Sequence, residues 1–481
     1  MAPRMNGPWS VHITQDDWRA LFAHLYPGDR DEHAAILRCG LAQTSRGSRL
    51  LVHDILYALD GIDYIPGDRG YRKLTPQFVL HAAESCADDQ LIYVAVHCHG
   101  GIDRVEFSDI DMASHERGYP ALLDITQRPA VGALVFARNA VAGDLWLADG
   151  TRVTIDRLQV VGRPQLQLHP EPRRPAHAGE AYDRQSRIFG DRGQAILATQ
   201  RVAIIGLGGA GSLVNEYVAR LGVGEILLID PDRIEISNLS RVVGARRRDA
   251  RSLLTAENRP EWVRRIGRGL AEPKVKIAAR VAREASRTVT VTTVVDDVLE
   301  PEVAEMLKDC DHIFLAADAH SARRLVDVLT HQYFIPTTQV GAKVSLVEEG
   351  GEIADIFSAV RASVPGDGCL RCAQLISPVL LQEEAKSQGE RRRQRYLDDA
   401  DVPSPSVITL NAVAAAHAVN DWMMSVTGLT SDLVTPDRWM TIHPLIDETV
   451  EYSQRIDPRC PNCGPARFAR GDARRLPTKV R

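Results

Sequence analysis

Arg201-Val-Ala-Ile-Ile-Gly206-Leu-Gly208-Gly209-Ala-Gly211-Ser212 passes from a short apolar run into a glycine-rich turn and on into residues that suit a helix. An unbroken apolar run bounded by glycine predicts a strand buried on both faces. A second such run, Glu225-Ile-Leu-Leu-Ile-Asp230, follows and ends on a carboxylate. Strand, glycine turn, helix, strand and acid together form a nucleotide-binding βαβ pattern. The glycines let the backbone approach phosphates, the helix N-terminus faces negative charge, and the acid can hold ribose hydroxyls. Many dehydrogenases carry the same turn and acid, so the turn alone does not choose the nucleotide.

Its surroundings are richer. Upstream lie Tyr182-Asp-Arg184-Gln185 and Gly193-Gln194; downstream come Pro231-Asp232-Arg-Ile-Glu-Ile-Ser-Asn238-Leu-Ser-Arg241, then Glu272-Pro-Lys274. A further apolar strand, His312-Ile-Phe-Leu-Ala-Ala, leads to Asp318. Over roughly residues 180 to 465 this ordered set resembles the ThiF/HesA/MoeB superfamily of ubiquitin-activating-type adenylyltransferases. The resemblance implies a Rossmann-like, mostly parallel-sheet domain that uses ATP rather than NAD. It implies that Gly206, Gly208, Gly209, Gly211, Asp230 and Asp232 contact ATP, with Asp230 on the ribose. Asn238, Arg241 and Lys274 would bind the phosphates and Asp318 would hold Mg²⁺. Arg184 would reach into a neighbouring subunit's site, which implies a homodimer.

The chemistry points the same way. Attack of a carboxylate on an α-phosphate builds charge on phosphoryl oxygens and on pyrophosphate, so the site needs fixed cations and a metal but no general base. Hydride transfer would need neither Arg241 and Lys274 nor another strand-end acid. The plain alternative is that both cations are surface charges and the glycines only a tight turn.

Cys369-Leu-Arg-Cys372 and Cys460-Pro-Asn-Cys463 are two chelating pairs. Four thiolates close a tetrahedral structural zinc site with no open position. Such a site would pin the C-terminal segment to its domain; the alternative is that one pair is incidental. Relatives that pass their substrate to a cysteine carry a nucleophilic Cys after the magnesium aspartate. Beyond Asp318 this chain has only the four paired cysteines, and Cys310 reads as a packing residue. No thioester on this chain is expected.

In the N-terminal half, Leu91-Ile-Tyr-Val-Ala-Val-His97-Cys-His99 puts two imidazoles on one face of a strand and Cys98 on the other. Ser108-Asp-Ile-Asp111 follows, where a helix is predicted to begin. Two histidines and an aspartate make a catalytic zinc set that leaves a fourth position for water, and a nearby carboxylate can take its proton. Glu32, ahead of an early strand, is placed for that task. The pattern resembles the JAB/JAMM (MPN) metalloprotease family, an α+β fold. That likeness implies His97, His99 and Asp111 as zinc ligands, Glu32 as general acid/base and Ser108 at the oxyanion. Eight residues separate His99 from Ser108, one more than the family spacing. Ser108-x-x-Asp111 is equally a helix capping box, and a histidine pair on a strand can be mere packing.

The 481 residues suffice for two or three domains, with 44% hydrophobic and 25% charged residues and a net charge of −5. That balance provides no drive toward nucleic acid or membrane. Eight cysteines, four with ligand spacing, and no leader-like start make the cytoplasm the expected compartment. Residues 1–162 are expected to form the JAB/JAMM-like domain and the proline-rich 163–179 a linker. The adenylation domain is expected over 180–465, followed by a loose basic tail over 466–481. The charged stretch 382–401 is expected to be a mobile crossover segment.

Together the two halves imply processing of a ubiquitin-like protein after its C-terminal glycine, then ATP-dependent activation of that carboxylate. Bacterial ubiquitin-like conjugation, with an E2-type enzyme as partner, or antiphage defence would be a natural setting. Activation of a sulfur-carrier protein, with a sulfur donor as partner, is the first alternative. An NAD-dependent oxidoreductase and a non-catalytic binding module are the others.

Overall fold

A computed structural model of the protein describes residues 7–65, 72–346, 353–385, 405–429 and 439–479. The chain divides into two units. One comprises Met1–Pro175 with His331–Phe334 and Pro465–Arg475; the other comprises Ala176–Thr330, Ile335–Gly464 and Leu476–Arg481. Most of the charged stretch 382–401 lies outside the described residues. No described helix is long and apolar enough to cross a membrane.

The first unit contains β1 (Trp9–Thr14), β2 (Ala34–Thr44), β3 (Gly47–Tyr57), the small hairpin β4 (Tyr64–Ile65) and β5 (Lys73–Leu74), β6 (Ile92–Cys98), β7 (Ala130–Phe136), β8 (Val141–Leu147), β9 (Arg152–Val161) and β10 (Leu166–Leu168). The main sheet runs β1-β3-β2-β6-β7-β8-β9-β10. β1 pairs in parallel with both β3 and β9, which closes the sheet on itself and protects its edges.

Side-chain alternation sorts each strand between two cores. On β6, Val94, Val96 and Cys98 face the core with Trp9, Leu37, Leu50 and Phe136. Tyr93 and Ala95 face the opposite side, with Ile36, Tyr119 and Leu122. Helices Pro76–Asp89 and Asp109–Thr126 cover this second face, capped at their starts by Thr75 and Ser108.

Two expectations change in this unit. Leu166–Leu168, placed in a linker, pairs antiparallel with Leu158–Val160 of β9. The prolines at 164 and 170 flank that alternating Leu-Gln-Leu run without interrupting it, so a short strand is allowed. The stretch expected as a loose basic tail is also folded in part. Gly471 bridges Leu41, Ala469 is fully buried, and Asp472 accepts the Gln43 amide at 2.7 Å. Gly40 permits that approach, since a Cβ there would lie 1.9 Å from the Ala469 carbonyl oxygen.

The second unit carries β11 (Arg201–Ile205), β12 (Glu225–Ile229), β13 (Thr290–Val294), β14 (His312–Leu315), β15 (Thr337–Leu346), β16 (Ile353–Ser363), β17 (Trp439–His443) and β18 (Glu448–Tyr452). Their order is β13-β12-β11-β14-β15-β16-β17-β18. The first five are parallel, as strand-helix alternation predicts, and the last three are joined antiparallel. Val202, Ile204, Ile226, Leu228 and Phe314 form a core with helices Gly209–Arg220, Lys274–Ala285 and Ile408–Thr427.

Candidate functional site

Strand order reverses between β11 and β14, and ligands of open α/β sheets bind in the crevice outside the strand ends at such a switch point. Three expected residues leave strands there. Gly206 follows β11, Asp230 follows β12, and Asp318 comes three residues after β14. Gly206 has φ +86°, and a Cβ there would press on the Ala316–Ala317 backbone at 3.0 Å. Gly211 is required by contact, since a Cβ would meet the Gly206 carbonyl oxygen at 1.9 Å. Gly208 has nothing within 4 Å of its Cβ position, so it leaves open space at the N-terminus of helix Gly209–Arg220. That opening is where a phosphate can approach backbone amides.

Asp230 is buried and braces the turn. One oxygen accepts the Leu207 amide at 2.6 Å and the other the Asp232 amide at 2.8 Å. Burial pushes its pKa up, against the pull of Lys274 and the two amides. Lys274 begins helix Lys274–Ala285, with Nζ 2.7 Å from the exposed Asp232 and 3.9 Å from Asp230. A bridge between Arg233 and Pro273 sets this corner. Asn238 ends a short 3₁₀ turn, and the Arg241 guanidinium donates to the Ser237 carbonyl at 2.9 Å. Asp318 is exposed, near enough to Arg323 for their charges to interact. One carboxylate plus substrate phosphates is an ordinary magnesium donor set. Arg184 is exposed in the first turn of helix Asp183–Thr199. The flanking motifs meet: Gln185 donates to Gln194 at 2.8 Å, and both donate to the Leu221 carbonyl at 3.0 Å.

The four paired cysteines also converge. Their sulfurs lie within 4.8 Å of one another, with Cys369–Cys372 at 3.6 Å, Cys369–Cys460 at 3.7 Å and Cys372–Cys463 at 3.5 Å. Four thiolates at zinc–sulfur distance and tetrahedral angles stand about 3.8 Å apart. The donor set fits zinc. Hydrogen bonding between them pushes the Cys369 thiol up and pulls Cys463 down to about 6, the conflict that a bound dication relieves. Asp327, buried in helix His320–Tyr333, accepts the Leu370 and Arg371 amides at 3.1 Å and the Asn462 side chain at 3.3 Å. It orients both cysteine loops.

In the first unit, His97 shares a face of β6 with Tyr93 and Ala95, and His99 follows just beyond the strand end. Helix Asp109–Thr126 brings Asp111 onto the same side. The His97 and His99 Nε2 atoms are 3.2 Å apart, and they lie 3.4 and 3.5 Å from the Asp111 carboxylate. Nitrogen and oxygen ligands at zinc distances and tetrahedral angles stand about 3.3 Å apart, so this triangle also fits zinc.

Burial would raise the Asp111 pKa, but hydrogen bonds from His97 and His99 outweigh it and hold the acid well below the carboxylate range. Asp111 in turn raises His99. Ala34, the first residue of β2, pairs with His97, and Glu32 stands two residues before it, near enough to His97, His99 and Asp111 to feel their charges. Burial raises the Glu32 pKa, and His97 and His99 oppose this. The capping box is present as well. The Ser108 hydroxyl donates to Asp111 at 2.7 Å, and its oxygen accepts the Asp111 amide at 3.2 Å. A hydroxyl has one proton, so Ser108 as placed orients Asp111, and serving an oxyanion requires it to turn.

Residues 182–461, more than half of the chain, match the ThiF family. The chain belongs to the ThiF family. A curated relative, the sulfur carrier protein ThiS adenylyltransferase of Bacillus subtilis (strain 168), is 28% identical over 291 residues, spanning 60% of this chain and 72% of that protein. The SAMP-activating enzyme E1 of Haloferax volcanii is 27% identical over 290 residues, 59% of this chain and 88% of that one. Among solved structures, MccB of E. coli aligns at 19% identity over 59% of this chain and 72% of that chain, with a TM-score of 0.45. The matched region is thus a ThiF-family adenylyltransferase, for which ATP is the nucleotide expected. The match leaves residues 1–181 outside it.

Within the ThiF region, Gly206 and Asp230 lie at strand ends, Gly208, Gly209, Gly211 and Lys274 at helix starts, and Asp232, Asn238, Arg241 and Asp318 in the connections between. Sequence reasoning missed Asp327. A lone aspartate on an amphipathic helix carries no signal that two distant loops will rest on it.

Proposed function

We propose that this ThiF-family chain processes and activates the C-terminus of a small ubiquitin-like protein. Residues 180–465 would adenylate its terminal glycine carboxylate with ATP. Residues 1–162, as a JAB/JAMM-type hydrolase, would first cleave after that glycine, with 163–179 between the two. The observation that carries the adenylation reading is the switch-point crevice of a family member, lined by the glycine turn, Asp230, Lys274 and Asp318.

A carboxylate oxygen attacks the α-phosphorus, the bond to the bridging oxygen breaks, and pyrophosphate leaves with its electron pair. No proton moves. Lys274 and Arg241 would offset the charge on the phosphates, while the Asn238 side chain and the amides at the start of helix Gly209–Arg220 would donate hydrogen bonds to phosphate oxygens. Mg²⁺, held by Asp318, would neutralise the leaving group. Arg184 would complete the site of a second copy in a homodimer.

In the hydrolytic half, zinc held by His97, His99 and Asp111 would polarise the scissile carbonyl and activate water. Glu32 would take a proton from the attacking water and deliver one to the leaving amine. Asp111 is kept in register by Ser108. The support here is the ligand triangle, with Glu32 close enough for its charge to interact with all three residues.

The names of the two curated relatives favour a carrier-type substrate and keep sulfur-carrier activation as the second reading, which differs only in the acceptor. A sulfur donor would then replace the E2-type partner. The test is ATP–pyrophosphate exchange with and without a glycine-terminated carrier. Exchange should depend on the carrier, and no reducing-agent-sensitive adduct to this chain should appear on a non-reducing gel. Exchange indifferent to any carrier would reject the reading, and a thiol-sensitive adduct would reject its last step.

We assign the second zinc to the four cysteines as a structural ion. A site of this kind contributes on the order of 10 kcal/mol to folding. Cys369→Ser should therefore lower the melting temperature by on the order of 10 °C and reduce the zinc content by one ion per chain. Full metal content with unchanged melting would refute the assignment.

A further inference from the structure

Helix His320–Tyr333 starts two residues after Asp318, and the first amides of any helix have no carbonyl partner within it. Here a carboxylate from far along the chain supplies one. Glu384, near the end of helix Pro378–Ala385, accepts the His320 amide at 2.9 Å and the Ser321 amide at 2.8 Å. Two further bonds fasten the same place. The Ser377 amide donates to His320 Nδ1 at 3.1 Å, and the Arg323 guanidinium donates to the Leu375 carbonyl at 3.0 Å. Glu384 is half-buried; burial would raise its pKa, yet the bonds from Ser321 and His320 keep it below the ordinary glutamate value. A charged carboxylate at a helix N-terminus is also favoured by the helix dipole.

The short segment between β14 and this helix is held at its near end by the Ala316 amide on the Ile205 carbonyl, at 2.8 Å. Asp318 hangs between that anchor and Glu384. We propose that Glu384 is a positioning residue for adenylation, fixing the helix start and thereby the place of the Asp318 carboxylate at the crevice. This rests on the reading of Asp318 as the magnesium-holding acid. The segment that follows the first cysteine pair therefore does more than link two strands; it sets one wall of the nucleotide site. Asp327 ties the same helix to Leu370 and Arg371, so the helix is held at its start and at its middle by one stretch of chain.

The test compares Glu384→Ala and Glu384→Gln with the wild type in the full-length protein. Losing a charge-assisted bond pair should raise the Mg²⁺ concentration for half-maximal pyrophosphate exchange by about tenfold. The KM for the carrier should stay unchanged, and Glu384→Gln, which keeps one acceptor oxygen, should fall between. Without nucleotide or metal, amide hydrogen exchange over residues 316–326 should quicken in Glu384→Ala while residues 369–372 stay protected. Unaltered Mg²⁺ dependence and unaltered exchange at 316–326, with Asp318→Ala still inactive, would overturn the role of Glu384 alone. An active Asp318→Ala would instead overturn the reading of Asp318, and the role of Glu384 with it. Melting curves separate both outcomes from a variant that fails to fold.

Discussion

Asp318→Ala is expected to lower ATP–pyrophosphate exchange by about 10³-fold or more, the loss of several kcal/mol of metal-borne charge stabilisation, while leaving the hydrolytic activity intact. The side chain is exposed, so its removal should cost little stability; surface substitutions of this kind usually stay within about 0.5 kcal/mol. Its position supplies the reason for the large effect. It leaves the strand beside β11 at the point where the sheet reverses order, across the crevice opening from the glycine turn. Lys274 and Arg241 can each offset one phosphate charge, but neither supplies the double charge that Mg²⁺ held by Asp318 would bring. Asp318→Asn should behave almost like Asp318→Ala, because an amide keeps the shape and loses the charge. The measurement is exchange at saturating ATP and Mg²⁺, with cleavage of a carrier fusion assayed in parallel. Equal loss of both activities would sink the picture of two separate sites.

Local sequence was informative wherever function rides on local geometry. The turn at Gly206–Gly211 was legible because only glycine tolerates φ +86° at Gly206 and the contact of Gly211 with the Gly206 carbonyl. The shared face of His97 and His99 was legible because side chains on a strand alternate, whereas Glu32 was placed only by its order ahead of an early strand, and its nearness to both rings came from the fold. Ser108 carried two meanings in sequence, cap and site residue, and the structure shows the cap bonds meeting the Asp111 carboxylate.

What stayed hidden depends on pairings distant in sequence. Nothing in Trp9–Thr14 announces that it will close a sheet between β3 and β9. Nor does the arginine-rich end of the chain show that Gly471 will bridge Leu41. Its charge pattern suggests a solvated tail, while the contacts that order it join it to residues far away in sequence, through the Gly471 backbone and through side chains such as Asp472 and Arg467. Asp327 and Glu384 escaped for the same reason. Each is an unremarked acid on a helix until a distant backbone presents its amides.

Glu32→Ala is expected to abolish cleavage after the carrier's terminal glycine, by about 10² to 10⁴-fold as for loss of a general acid–base, without changing the zinc content. His97→Ala should abolish cleavage and also lower the zinc content by one ion per chain, because it removes a corner of the ligand triangle. The contrast separates a proton carrier from a ligand. Glu32 is suited to the first role by its environment: partial burial favours its protonated form, and the His97 and His99 rings oppose that shift. Pyrophosphate exchange with a carrier already ending in glycine should be normal in both variants, since its carboxylate is then free. Zinc bound to the first unit with no cleavage by the unaltered protein would turn this half of the molecule into a binding module, and cleavage unaffected by Glu32→Ala would remove Glu32 from the reaction. Loss of zinc in Glu32→Ala would make Glu32 a ligand and leave the reaction without its base.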